Sequence, residues 1–238
     1  MPALAWRVRR LLGPRHLPAA ALALLAVAAG VSGCLEPKRV VVDPDALAAL
    51  PRTWAEERGQ RDSDGWLGPK SVETIYVYDD ADAGPPFDAF LQVFSLRELD
   101  RRSASALQAL AERIVDDAAA DKGIQLSDAR AAEGERTIES GVRTRYTVRE
   151  GTVAGGDGLF SADSTVRILA EVGHDGRSKT SFVAVGMAQV KSQVACPLIG
   201  GPCQVDEDET TWHDIVADPS GRLGATGSNG LVFRLVTA

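Results

Sequence analysis

The chain has 238 residues, with 26 Lys+Arg against 33 Asp+Glu, 45% hydrophobic residues and 5% aromatics. That length fits one domain with appendages, and a charged fraction of 25% is that of an ordinary globule rather than a disordered chain. A net charge of −7 lacks the basic footprint of a nucleic-acid binder, and three Cys with three His exclude a cysteine-dense scaffold and most multi-ligand zinc folds.

Residues 1–18 carry Arg7, Arg9, Arg10 and Arg15 and no acid, and an unbroken apolar run from Ala19 to Ala29 follows. Such a run has the length of a signal-peptide core and falls short of the ~18 residues of a membrane span. Next comes Val31-Ser32-Gly33-Cys34. A small-residue approach to Cys at this spacing resembles the lipobox of prokaryotic lipoproteins. The resemblance implies a signal peptide over 1–33, cleavage before Cys34, and a diacylglyceryl thioether and further acyl groups such as palmitate on that residue. Several acyl chains make a stable anchor where one short chain is marginal. The competing reading is an ordinary cleaved signal with Cys34 as a chance thiol. Arg9-Arg10-Leu11-Leu12 leaves both the general and the twin-arginine export routes open.

Cleavage removes four Arg and no acid, leaving 22 basic against 33 acidic residues, net −11. By net charge alone, such a body has little attraction for an anionic bilayer. It has no later apolar run near spanning length, so lipid on Cys34 is the expected attachment to the membrane. Two thiols then remain, Cys196 and Cys203, separated by Pro-Leu-Ile-Gly-Gly-Pro. In an exported chain this pair reads as a disulfide. A zinc site with His213 and two free thiols are the alternatives, the first lacking a fourth protein ligand.

Residues 34–49, with Pro37, Pro44 and Lys38-Arg39, read as a tether with a strand at 39–42. Glu73–Tyr78 and Phe87–Leu96 read as strands of a hairpin with a long loop at 79–86. Over 103–122, Leu107, Leu110, Ala111, Ile114, Val115 and Ala118 form one helical stripe. Ser105 with Gln108 suits a capping box, and Lys122-Gly123 suits a stop. Strands are expected at 137–139 and 142–150 around Ser140-Gly141, and at 165–172 and 180–189 around Gly173-His174-Asp175-Gly176. Residues 151–163 read as a loop, 206–216 as a short helix, and Leu231-Val232-Phe233 as the place for a last strand. Strand runs without regular β-α-β alternation favour the α+β class, an antiparallel sheet packed by helices.

Leu50-Pro51-Arg52-Thr53-Trp54, followed by hairpin, Leu-rich helix ending in Gly, strands around a small-residue turn and a short helix, resembles the PsbP-like family. These are extrinsic proteins of photosystem II with many non-photosynthetic bacterial relatives. The resemblance covers residues 50–216 and implies an α/β/α sandwich acting as a binding or assembly-support domain rather than an enzyme. The 196–203 cysteine loop and the Gly-rich tail over 217–238 depart from it and read as a disulfide-bonded C-terminal appendage. A stretch from Trp212 to Val232 also resembles one blade repeat of a β-propeller, but no second copy follows, and a propeller needs at least four.

No residue set spells out catalysis. His174 and His213 lack a Gly-x-Ser-x-Gly partner, so neither reads as part of a nucleophilic pair. The acids at 79–88 could hold Ca²⁺ irregularly, although no segment has EF-hand spacing, so no metal or cofactor is assigned. Arg143, Arg145 and Arg149 share one strand face, with Arg167 on a neighbouring strand. Together they form a candidate anion-binding face, unless cross-strand acids such as Glu139 or Glu171 neutralise them. The expected function is that of a lipid-anchored, non-enzymatic envelope module with a protein partner and no nucleic acid. The alternatives are a carboxylate-dependent hydrolase and a small-ligand or Ca²⁺ sensor.

Overall fold

The structure is a computed structural model that describes residues 38–50, 54–57, 71–78, 89–97, 103–154, 162–196 and 201–238. The expected signal peptide, Cys34 and the 79–88 acids lie outside the described residues, as do residues 155–161 of the expected loop. In chain order the elements are β1 (Val40–Val42), α1 (Pro44–Ala48), β2 (Trp54–Glu57), β3 (Ser71–Tyr78), β4 (Phe90–Arg97), α2 (Ala104–Asp121) and β5 (Gln125–Thr137). There follow β6 (Arg143–Val153), β7 (Ala162–Asp175), β8 (Thr180–Cys196), β9 (Gly201–Glu207), α3 (Thr210–Val216) and β10 (Leu235–Thr237). The class is α+β, with antiparallel pairing throughout the main sheet.

That sheet runs β2-β3-β4-β8-β7-β6-β5, and β9 also pairs with β8. The order follows from one long connection. Chain-adjacent strands form two meanders, β2–β4 and β5–β8, and β4 joins them by pairing with β8. Helix α2 carries the chain from the middle of the sheet to its far edge. On the way its apolar stripe, Leu107, Leu110, Ala111, Ile114 and Val115, covers Ile168, Ala170, Val183, Val185 and Met187. The opposite face buries Leu91, Leu169, Phe182 and Ala184 under Trp212, Ile215 and Val216 of α3. Close approach of α3 needs a bare backbone beneath it, because a Cβ at Gly186 would sit 2.6 Å from Ile215 Cγ2.

The helix is capped two residues earlier than in the capping-box reading, at Ser103 rather than Ser105. Ser103 is the N-cap and accepts from the Ala106 amide at 3.2 Å, whereas Gln108 turns inward and donates to Thr147 Oγ1 at 3.0 Å. Gln108 is therefore a buried polar link to the sheet, unable to reach back to the cap. Its stop is the expected one, with Gly123 at φ +67°.

The segments beside the expected domain belong to its core. Val40 and Val42, in the expected tether, are buried and pair with β10. In the expected tail, Leu223, Ala225, Leu231, Val232 and Leu235 are all buried in the α3-side core. Residues 217–238 are thus one wall of the fold rather than an appendage, and the last strand falls at 235–237 rather than 231–233. Gly230 lies so close to the backbone that a Cβ there would be 2.1 Å from the Ala217 oxygen.

Candidate functional site

The most unusual chemistry lies on the α3 side of the sheet. Arg136, near the end of β5, stands opposite Thr144 of β6, and Glu171 of β7 stands opposite Tyr146. Strand alternation puts Arg136, Thr144 and Glu171 on the same face. Asp218, just past α3, completes the group, with side chains of Arg136, Glu171 and Asp218 no more than 2% exposed.

The Arg136 guanidinium donates from Nε to Glu171 Oε1 at 3.0 Å and from Nη2 to Glu171 Oε2 at 2.6 Å. From Nη1 it donates to Asp218 Oδ2 at 2.8 Å and to the Val216 carbonyl at 3.4 Å. It also lies 5.9 Å from the centre of the Tyr146 ring. One cation faces two carboxylates, so the group carries a net negative charge. Further donors stabilise it: Thr144 Oγ1 gives a hydrogen bond to Glu171, and both the amide and hydroxyl of Ser220 bond to Asp218 Oδ1. Burial disfavours charge on Arg136, but Glu171 and Asp218 outweigh it and raise its proton affinity. Burial alone would push Asp218 up; hydrogen bonds from Ser220 and then Arg136 hold it below the ordinary carboxyl value.

Above this group opens a cleft of about 590 Å³, lined by Arg136, Arg143, Asp218, Ser220, Arg222 and Phe233, among others. At its rim Glu135 accepts from Arg143 and, at 2.9 Å, from Arg145. Those two arginines hold the Glu135 carboxyl below its usual range, Arg145 by hydrogen bonding and Arg143 by charge and hydrogen bonding. Arg222 donates to the Glu135 carbonyl at 2.8 Å and has no carboxylate partner among the described residues. Arg143 is 79% exposed. The mouth therefore offers guanidinium forks that suit a carboxylate or phosphate, above a floor of fully engaged charge.

Of the four arginines expected to form one face, the structure brings two together. Arg143 and Arg145 share Glu135. Arg149 is farther along the same face, bound to Asp116 at 2.8 Å and to the Ser127 carbonyl at 3.1 Å. Arg167 is on the opposite face, between Glu150 and Glu209. The reason is parity: Arg167 stands opposite Glu150, an even-numbered residue of β6, while the other three are odd-numbered. The acids expected to neutralise the face have other partners, Glu139 with Arg234 and Glu171 with Arg136.

His174 Nδ1 lies 3.0 Å from Ser181 Oγ, and exposed His213 is 3.4 Å from Glu209. No group of three or more metal-ligating side chains converges among the described residues. The residues flanking 197–200 pair as β8 and β9, with Cys196 opposite Gly201 and a register shift at Val194/Ala195. The side chains of Cys196 and Cys203 are outside the described set. No described helix is long and apolar enough to cross a membrane.

Sequence reasoning missed Arg136, Asp218 and Arg222. Arg136 sits in a polar run with no strand signal, and its burial depends on a partner 82 residues away. Asp218-x-Ser220 was the one local clue, an Asp positioned to accept from the amide two residues on. No family model, curated protein or solved structure matches this chain.

Proposed function

We propose that the protein is exported, anchored to an envelope membrane by lipid on Cys34, and acts there as a non-enzymatic binding or assembly-support module. The observation that carries the reading is the basic segment, apolar run and Val31-Ser32-Gly33-Cys34 in succession. The guanidinium-lined cleft supplies the binding surface, and its ligand chemistry is a carboxylate or phosphate group. Support for a PsbP-like domain comes from the order of hairpin, long helix, antiparallel strands and short helix, with helices on both faces of the sheet.

The hydrolase alternative needs two acids with different proton affinities in an open site. Among the described residues, the fully buried acids that converge, Glu171 and Asp218, are both bound to Arg136. Asp218 is held below the ordinary carboxyl value, opposite to the raised value of a general acid. Cys196 and Cys203 are proposed as a disulfide closing the β8–β9 hairpin.

Two measurements test the reading. Mass spectrometry of the full-length product from a lipoprotein-processing host should find an N-terminal peptide beginning at Cys34 and carrying acyl chains. An uncleaved chain, or unmodified Cys34, would refute the anchor. Crosslinking in the native host should recover a discrete envelope partner with the lipidated protein and less of it with Cys34→Ser. A lipidated protein that captures nothing would refute the assembly role.

A further inference from the structure

Net charge conceals a polarity in this domain. The β5–β6 turn follows the Thr137/Arg143 pair and the β7–β8 turn follows Asp175/Thr180, while Thr144 stands opposite Gly173. Both turns are therefore at one end of the sheet. Lys38, Arg143, Arg177, Lys179 and Arg222 are all exposed at or beside that end. Lys38, Arg177 and Lys179 have no carboxylate partner among the described residues. Among the described residues, the nearby acids are engaged: Glu135 by Arg143 and Arg145, Glu139 by Arg234, and Asp175 by Thr237 and the Arg177 amide. At the other end, Asp116, Asp117 and Asp121 occupy the last turns of α2, and Glu207, Asp208 and Glu209 join β9 to α3. Along β8, Thr180 lies at the basic end and Lys191, opposite Glu207, lies beside these acids, roughly 36 Å away at the strand rise.

The chain enters the fold at the basic end. Val40 N donates to Ser95 Oγ, and Ser95 pairs with Phe182 near the β7–β8 turn. Val42 N donates to Tyr76 Oη, deeper along the sheet. Strand β1 thus runs inward from that end, and Thr237, opposite Val40, reaches back to Asp175. Only four residue steps separate Lys38 from Cys34, at most about 14 Å of extended chain.

We infer that this basic end docks on the anionic phospholipid headgroups of the membrane that holds Cys34, with the cleft between Arg143 and Arg222 taking a headgroup phosphate. The inference rests on the lipid-anchor reading and gives it an orientation. A short tether keeps the basic end near the bilayer, and guanidinium groups grip phosphate in paired hydrogen bonds. The acidic end is several Debye lengths away, at ~8 Å each in physiological salt, so its repulsion from the surface is screened. An acidic body can therefore bind an acidic surface by one end.

The test uses the full-length lipidated product in vesicles of phosphatidylcholine alone or with about one third phosphatidylglycerol. An amine-reactive label reads each lysine by mass spectrometry. Lys38 and Lys179 should label at least fivefold more slowly in the anionic vesicles, an effect lost in high salt, while Lys122 and Lys191 are unchanged. Equal labelling of Lys38 and Lys179 in both vesicles would overturn the inference. Arg143→Gln and Arg222→Gln should each reduce the protection about fivefold, the factor of one cation near an anionic surface. Full protection retained in both variants would remove the cleft from the docking surface and overturn its assignment. Millimolar inorganic phosphate with neutral vesicles separates the two phosphate sources: tight binding of free phosphate without anionic-vesicle protection would overturn the headgroup assignment. The Cys34 peptide is weighed in the same sample. If it carries no lipid, the anchor reading falls, and the same labelling with vesicles added to the free protein judges the surface independently.

Discussion

Replacing Arg136 by Met removes the one cation between two buried carboxylates while keeping most of its apolar volume. Glu171 and Asp218 are then left facing each other across a site with almost no water access. Breaking a buried ion pair on one side costs about 3–5 kcal/mol, because the remaining charge keeps its desolvation penalty without its partner. Against a total stability of about 5–15 kcal/mol, that is a large fraction. At ~2–4 °C per kcal/mol for a domain of this size, the midpoint should fall by roughly 6–20 °C.

The pH dependence gives a sharper signature. In the native protein the Asp218 carboxyl is held below its unfolded value of 3.8, so its stabilisation is complete above that value and is lost as pH falls through the folded value. In Arg136→Met, burial and the Ser220 hydrogen bonds remain and the guanidinium is gone, so the folded Asp218 carboxyl rises from its native position. Less of its stabilisation is then left at neutral pH, and the difference from the native protein shrinks as pH falls and the carboxyl is protonated in both. The stability gap between native protein and variant should therefore be widest at pH 7 and narrower at pH 4.5. Urea unfolding at the two pH values measures both. A loss under 1 kcal/mol at pH 7, or a gap independent of pH, would refute the assignment of Arg136 as the electrostatic fastener of the 217–238 segment.

Three further substitutions probe the fold. Ser103→Ala should cost about 1 kcal/mol as an N-cap loss, and Ser105→Ala only a few tenths; equal losses would mean the cap is misassigned. Gly230→Ala places a methyl against the Ala217 carbonyl and should cost about 1–3 kcal/mol or more, so a variant as stable as the parent in thermal unfolding would contradict the close approach. Tyr76→Phe leaves the Val42 amide unpaired in the core and should cost about 1–3 kcal/mol. Burial pushes the Tyr76 hydroxyl up to about 12, above its unfolded 10.0, so stability should decline as pH rises past 10. A tyrosine complement that ionises uniformly near pH 10 in the folded protein would count against that burial.

The elements legible in the sequence were those whose local pattern and packed environment agree. Helix α2 shows a stripe because one side rests on β7 and β8 and the other faces water. Strand β4 and the centres of β7 and β8 show apolar runs because they lie mid-sheet, covered on both faces, whereas β3, next to the edge strand β2, shows its β-branched and aromatic run while only half-buried along much of its length. Strand β5 shows neither pattern. It is an edge strand, exposed along most of both faces and bulged at Leu126/Arg130 and Arg130/Ala132, so no alternation is imposed on Gln125–Thr137. Strand β9 was hidden differently: its Pro and Gly signal the bend correctly, but pairing with an already long β8 decides that the flanks are strands.

The sequence by itself determined the class, the long helix, the central hairpins and the arginine alternation on β6, because these follow from periods of 3.6 and 2 within one segment. It also supplied the linear pattern, basic segment, apolar run and Val31-Ser32-Gly33-Cys34, on which the proposed lipid anchor rests. Tertiary structure alone decided that the tail is core, that Arg167 faces away from Arg143 and Arg145, and that Arg136 meets Asp218. Those facts depend on strand register and on contacts between residues as many as 82 positions apart. The distribution of charge is of the same kind: an acidic net charge says how many acids there are, and only the register of the turns says that the cations gather at one end.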